Sequence, residues 1–184
     1  MRKGFTLIEL LIVIAIIGTL AVVILLALNP VQQLARTRDA GRQSAVTQLG
    51  HAVEAFATTH NGLYPEVGGA GVNACPGTGA WITACLVGAG EISSTPAEID
   101  YNIGGTAPCS SASAEIESNV CYVASSTYDD AIVYSAAEAD STTTRCTGLN
   151  ENAYFVYSAS AGRGGIVCGA TEPTVPVLGT DYIE

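Results

Sequence analysis

Residues 5–28 form one apolar or small-residue run, FTLIELLIVIAIIGTLAVVILLAL, interrupted by a single charge, Glu9. Read as a helix, the run is about 36 Å long at about 1.5 Å per residue, enough to span a bilayer with some tilt. No second stretch is long enough to do the same. The chain therefore reads as a single-pass membrane protein with a short N-terminal side and a long C-terminal side. Arg2 and Lys3 flank the N-terminal end, and the positive-inside rule places them in the cytoplasm. Arg36, Arg38 and Arg42 lie just past the other end and argue the opposite way. Long domains translocate largely regardless of charge, so the leader carries more weight and the C-terminal part is expected to face outward. Glu9 remains the anomaly. A carboxylate inside a membrane segment is costly and rare, and its default reading is functional. Snorkelling to the headgroups would explain how the charge is tolerated, but not why it is there.

Asn29-Pro30 ends the run. Proline lacks an amide donor and clashes with the preceding turn, so a kink or short break is expected at Pro30. Beyond it, Val46, Leu49, Val53 and Phe56 recur at spacings of three and four, the stripe of an amphipathic helix. Arg42, Gln43, Gln48 and Glu54 are read as its polar side. His60-Asn61-Gly62 is a helix end and Pro65 a stop. After residue 65 the composition shifts to Gly, Ser, Thr, Ala and Tyr. Short runs at 81–87, 120–124, 131–136, 153–158 and 165–168 read as strands. The similar segments IVYSAA (132–137) and FVYSAS (155–160) are candidates for neighbouring strands. The connections are too short for crossover helices, which favours antiparallel pairing. The expected fold is α+β: a long N-terminal helix, kinked near Pro30, packed on one face of an antiparallel sheet with disulfide-stapled loops. The expected divisions are a leader (1–4), a hydrophobic helix (5–28), an amphipathic second half (29–62) and a β-rich globular domain (63–184).

All six cysteines, Cys75, Cys85, Cys109, Cys121, Cys146 and Cys168, fall in the part expected to be exported. An even number confined there points to disulfides in an oxidising compartment. Six cysteines allow fifteen pairings, and sequence does not choose among them. The set we expect is nearest neighbours: Cys75–Cys85, Cys109–Cys121 and Cys146–Cys168. No Cys/His spacing suits zinc, and no cofactor or metal is expected. After residue 60 there are two arginines against fourteen acidic residues, and the whole chain carries a formal charge of -10. A surface this acidic repels nucleic acid, so direct nucleic-acid binding is not expected. No GxSxG, HExxH or P-loop motif occurs. The glycine-rich pieces VGGAG, CPGTG and GRGG lack the strand-to-helix context of phosphate loops and read as plain loops. Asp129-Asp130 reads as a solvated acidic turn, and His51 and His60 as surface or packing residues. The serine-rich stretch after Cys109 is a compositional candidate for O-linked sugar.

A secretory signal has its small-residue cleavage site after the apolar run. Here the glycine precedes it, at KG-FTLIELLIVIAII. This closely resembles the processing site of type IV prepilins and type II secretion pseudopilins. The resemblance covers about the first 28 residues, and NGLYP (61–65) also looks like the family. It implies cleavage by prepilin peptidase between Gly4 and Phe5, with methylation that makes Phe5 an N-methylphenylalanine. Glu9 then matches the family's glutamate at the fifth mature position. Cleavage creates a positive amine at Phe5. In a hydrophobic filament core, that amine on one subunit attracts the Glu9 carboxylate of a neighbour far more strongly than in water. An unpaired carboxylate there is penalised, so the pair acts as a register device. In many pilins the family proline lies a few residues earlier than Pro30.

The implied role is a structural subunit of a type IV pilus-like surface filament, supporting adhesion, motility or uptake. The implied partners are further copies in a helical filament, prepilin peptidase, the inner-membrane pilus assembly machinery, and the membrane itself before assembly. The precursor would span the membrane with its N-terminus cytoplasmic, and the mature form would sit in an extracellular filament. Alternatives are a secretion pseudopilin, a minor tip pilin acting as adhesin or DNA receptor, and a membrane-anchored enzyme. Six cysteines and a bulky acidic domain favour the pilin, and no nucleophile–base pair supports the enzyme.

Overall fold

The computed structural model describes residues 4–77, 79–101, 109, 114–146, 152–175 and 182–183. The leader residues Arg2 and Lys3 and the serine-rich stretch 110–113 lie outside the described residues. The chain forms two compact units, Met1–Leu34 and Ala35–Glu184.

The first unit holds helix α1, Leu7–Leu28, and the opening of helix α2, Pro30–Thr59. Helix α1 starts two residues later than the apolar run, because Thr6 serves as its N-cap in an extended conformation (φ -84°, ψ 150°). The break expected at Pro30 falls one residue earlier. Asn29 adopts the left-handed conformation (φ 39°), which asparagine tolerates better than most residues. Its carbonyl accepts from the amides of Gln32 and Gln33 at 3.1 and 3.3 Å, opening the new helix. Pro30 is the first residue of α2, where its missing N–H and fixed φ cost nothing.

In the second unit, α2 packs on an antiparallel six-stranded sheet. The strands are β1 (Glu115–Glu117), β2 (Val120–Ala124), β3 (Ala131–Ala136), β4 (Asn152–Ser158), β5 (Arg163–Gly169) and β6 (Tyr182–Ile183), in that spatial order. The two look-alike segments are neighbours, with Val133 opposite Tyr157 and Tyr134 opposite Val156. Period-two alternation divides them between two cores. Val133, Phe155 and Tyr157 face Val46, Leu49, Val53 and Phe56 of α2. Ile132, Tyr134, Tyr154 and Val156 form a second cluster on the other side. Burying each large apolar side chain of this kind contributes about 1.5–3 kcal/mol. Helix α2 ends with Asn61 and Gly62 at positive φ (58° and 80°), and the Gly62 amide reaches back to the Ala57 carbonyl at 2.8 Å.

Three expectations need correction. Residues 81–87 are not a strand. Ile82–Val87 is a π-helical turn with Ile82, Ala84, Cys85 and Leu86 all buried. A short apolar run does not distinguish a buried strand from a buried helix by periodicity. Arg163-Gly164 is not a loop but the start of β5, two residues ahead of the strand expected at 165–168. A Cβ at Gly165 would come within 2.5 Å of the Tyr182 ring, so the strand needs glycine there to let its neighbour close in. Arg42, read as a solvent-side residue, is 1 % exposed.

Arg42 belongs to a buried charge network that continues the apolar stripe of α2 toward its N-terminal end. Asp39 accepts from the backbone amides of Glu138 (2.9 Å) and Ala139 (2.9 Å). Arg42 donates through Nη1 to Asp39 and to Glu138, both at 3.0 Å, and through Nη2 to the Asp100 carbonyl at 2.9 Å. Its guanidinium carbon sits 3.7 Å above the Tyr101 ring. Arg38 grips Glu138 with two bonds, 2.9 and 2.6 Å. Two cations and two carboxylates thus balance, and each carboxylate is held by several donors, the condition under which buried charges are tolerated.

Three disulfides staple the loops: Cys75–Cys85, Cys109–Cys121 and Cys146–Cys168. The first ties the 66–77 loop to the π-helical turn. The second fastens residue 109 to β2, and the third fastens the end of the α3 segment (α3, Asp140–Thr143) to β5. Each such bond contributes roughly 2–4 kcal/mol by restricting the unfolded chain.

Gly50 marks the closest approach of α2 to the sheet. A Cβ there would lie 2.3 Å from both Cγ and Cδ1 of Tyr157. Tyr157 is only 2 % exposed and its hydroxyl meets His51 Nδ1 at 3.1 Å, so the ring has nowhere to retreat. In an exposed helix, Gly→Ala stabilises by about 1 kcal/mol. Here Gly50→Ala is expected to destabilise, by the roughly 1–3 kcal/mol typical of overpacking. Thermal unfolding followed by circular dichroism reads the sign directly, and an unchanged or raised midpoint counts against this packing.

Candidate functional site

The candidate site is the junction between the leader and α1. Gly4, Phe5 and Thr6 are extended and exposed, Phe5 at 78 %, and the helix begins at Leu7. The Gly4–Phe5 bond therefore stands outside the helix, in the open backbone that a peptidase needs. A Cβ built on Gly4 meets nothing within 4 Å. The fold places no demand for glycine at this position.

Glu9 sits one turn inside α1 and closes a capping box with Thr6. The Glu9 amide donates to Thr6 Oγ1 at 3.3 Å. In return Glu9 Oε2 accepts from the Thr6 amide at 2.8 Å and from the Thr6 hydroxyl at 2.7 Å. Two orphan donors of the helix start are satisfied, and a negative charge lies against the positive end of the helix dipole. Thr6 was not among the residues singled out from the sequence. The spacing Thr6-Leu7-Ile8-Glu9 before an apolar run carries the signal.

Beyond Glu9 the helix is apolar on every face and buried on none. Leu7–Leu25 is long and apolar enough to cross a membrane, and among the described residues none of it is buried. Side chains all around it are open, among them Leu7 at 85 % and Ile14 at 61 %. Gly4, Phe5 and Glu9 thus lie within one short segment, with Pro30 at the far end of the same unit. The six cysteines lie in the other unit, as disulfides. Among the described residues no group of three His, Cys, Asp or Glu side chains is placed to hold a metal ion.

Residues 1–25 match the family model described as the prokaryotic N-terminal methylation motif. The chain carries the type IV prepilin signature. The match is confined to the first 25 of the 184 residues, the stretch that holds Gly4, Phe5 and Glu9. The apolar helix fits a prepilin anchored in the membrane. No curated protein and no solved structure matches the chain.

Proposed function

We propose that this chain is the structural subunit of a type IV pilus-like filament, cut between Gly4 and Phe5 and assembled through its N-terminal helix. The observation that carries the reading is a helix, Leu7–Leu25, that is long and apolar enough to cross a membrane and has no part buried among the described residues. Such a helix must be covered by lipid or by other copies. Lipid serves before assembly, and neighbouring helices replace it afterwards. Glu9 gives the exchange its register: the new amine at Phe5 of one subunit meets the carboxylate of the next. The stapled acidic domain, facing outward, forms the outer surface. The extended Gly4–Phe5 segment supports cleavage at that bond, and because Gly4 is structurally unconstrained, the need for glycine lies with the peptidase.

The test is the mass of the subunit in surface filaments sheared from the source cells. The expected species begins at N-methylated Phe5, dominates the preparation and carries three disulfides. A chain found only in the membrane with residues 1–4 attached would overturn the reading. A processed chain confined to the periplasmic side of the envelope would move it to the pseudopilins.

A further inference from the structure

Two unspent charges stand at opposite ends of α2. Arg36 is exposed near the start of the globular unit and has no partner among the described residues. The other described arginines of that unit are engaged: Arg38 and Arg42 with Glu138, Arg163 over the Tyr182 ring, and Arg145 in a contact of its own. At the other end, after α2 has risen about 35 Å from Arg36 to Thr59, a groove of about 210 Å³ opens between the loop at 65–67 and the β2–β3 turn. Pro65, Val67, Tyr122 and Tyr128 wall it, and Glu115 stands at its edge.

The groove is held in shape. The Tyr64 amide donates to the Tyr128 carbonyl at 2.8 Å, and the Tyr122 hydroxyl donates to the Pro65 carbonyl at 2.9 Å. Tyr128 has φ 56°, a conformation that a bulky residue adopts only where its surroundings impose it. Its volume falls below the roughly 300–1,000 Å³ of pockets that enclose small-molecule ligands, which suits a single inserted side chain. Pro65, Val67 and two tyrosines, beside one carboxylate and the serines Ser125 and Ser126, match an arginine, whose stem packs on apolar surface while its guanidinium pairs with carboxylate, donates to hydroxyl oxygens and lies on aromatic rings. No basic residue lines the groove, so an anion finds no counter-charge there.

We propose that Arg36 of one subunit seats in the Glu115 groove of the next subunit, head to tail along the filament. This rests on the filament reading above. A contact between different surfaces at opposite ends of one molecule does not close on itself, and repeated copies of it generate an open helix. Copies with a formal charge of -10 each repel one another, so a directed cation–carboxylate contact also decides which faces meet.

The test uses the full-length chain in cells that assemble it, with recovery in sheared filaments measured against processed subunit left in the membrane. Arg36→Glu and Glu115→Arg are each expected to lower recovery by about tenfold, and the double reversal to restore most of it. Arg36→Gln is the arm that misfolding does not confound, because Arg36 is exposed and unpartnered, and it is expected to lower recovery as well. Full recovery with Arg36→Gln, or a double reversal no better than the worse single one, would overturn the contact. Those results leave the filament reading standing. A wild-type chain that is processed yet never enters filaments removes that reading, and this contact with it.

Discussion

Glu138→Ala is expected to lower the stability of the globular unit by about 3–5 kcal/mol, the range for removing one partner of a buried ion pair. Glu138 is the carboxylate that both Arg38 and Arg42 grip, and its side chain is 1 % exposed. Without it Arg42 keeps Asp39 and the Asp100 carbonyl, but the cluster carries a surplus positive charge that reaches water only through the part-exposed Arg38. Arg42 already has one buried donor, Nε, without a partner, so it has little reserve. A domain of this size has about 5–15 kcal/mol in total, so the loss is a large share. It corresponds to a fall of the order of 10 °C in Tm. Replacing Arg38 and Glu138 together by apolar residues of similar volume is expected to cost less, since Arg42 and Asp39 then remain a balanced pair with their backbone partners. Denaturant unfolding of the full chain in detergent separates the two cases. A Glu138→Ala chain as stable as wild type would falsify the network as a fastening.

Glu9→Ala acts on assembly rather than on the fold. In the single subunit the carboxylate does no more than cap the first turn, and Thr6 still accepts from the amide of residue 9. The variant is therefore expected to insert, to be cut after Gly4 and to fold its outer domain. On the filament reading it then fails at the next step. The amine of Phe5 enters an apolar bundle where attraction and repulsion between charges are strong, and no carboxylate meets it. Recovery in sheared filaments is expected to drop at least about tenfold, the factor that follows from about 1.4 kcal/mol. Equal recovery in the same helical register counts against Glu9 as the register device. On the same reading cleavage after Gly4 is the internal control, since the Glu9 side chain lies outside the extended Gly4–Phe5 segment.

The parts of this molecule that were legible in its sequence are those set by local periodicity or by a local motif. The span from Leu7 to Leu28 shows as an apolar run, β2 and β3 as β-branched and aromatic runs between turn residues, and the end of α2 as Asn61-Gly62. Gly4, Phe5 and Glu9 stand in one contiguous N-terminal stretch, the part of the chain that the methylation-motif model matches. The residues that escaped depend on partners far away in the chain. Arg42 occupies a core position of the α2 stripe, but nothing local marks it as buried, because Glu138 lies 96 residues later. Residues 81–87 carry β-formers, yet the disulfide from Cys85 to Cys75 and the bonds from Thr83 to Glu117 hold them as a π-helical turn, and both partners lie outside the run. Thr6 is a different kind of miss, since its capping signal is four residues long and simply lay inside a longer hydrophobic pattern.

The strand order has a consequence for how the outer unit comes into being. Spatial order equals chain order throughout the sheet, so every strand pairs with the one made just before it. Each pairing closes a short loop, and short loops close quickly. Helix α2 is the exception. It precedes every strand in the chain, yet its charged end is fixed by Glu138, about a hundred residues behind it. The helix must therefore wait with its stripe open while β1, β2 and β3 arrive. The sheet grows hairpin by hairpin, and the helix that comes first in the chain is fastened only after three of the six strands have arrived.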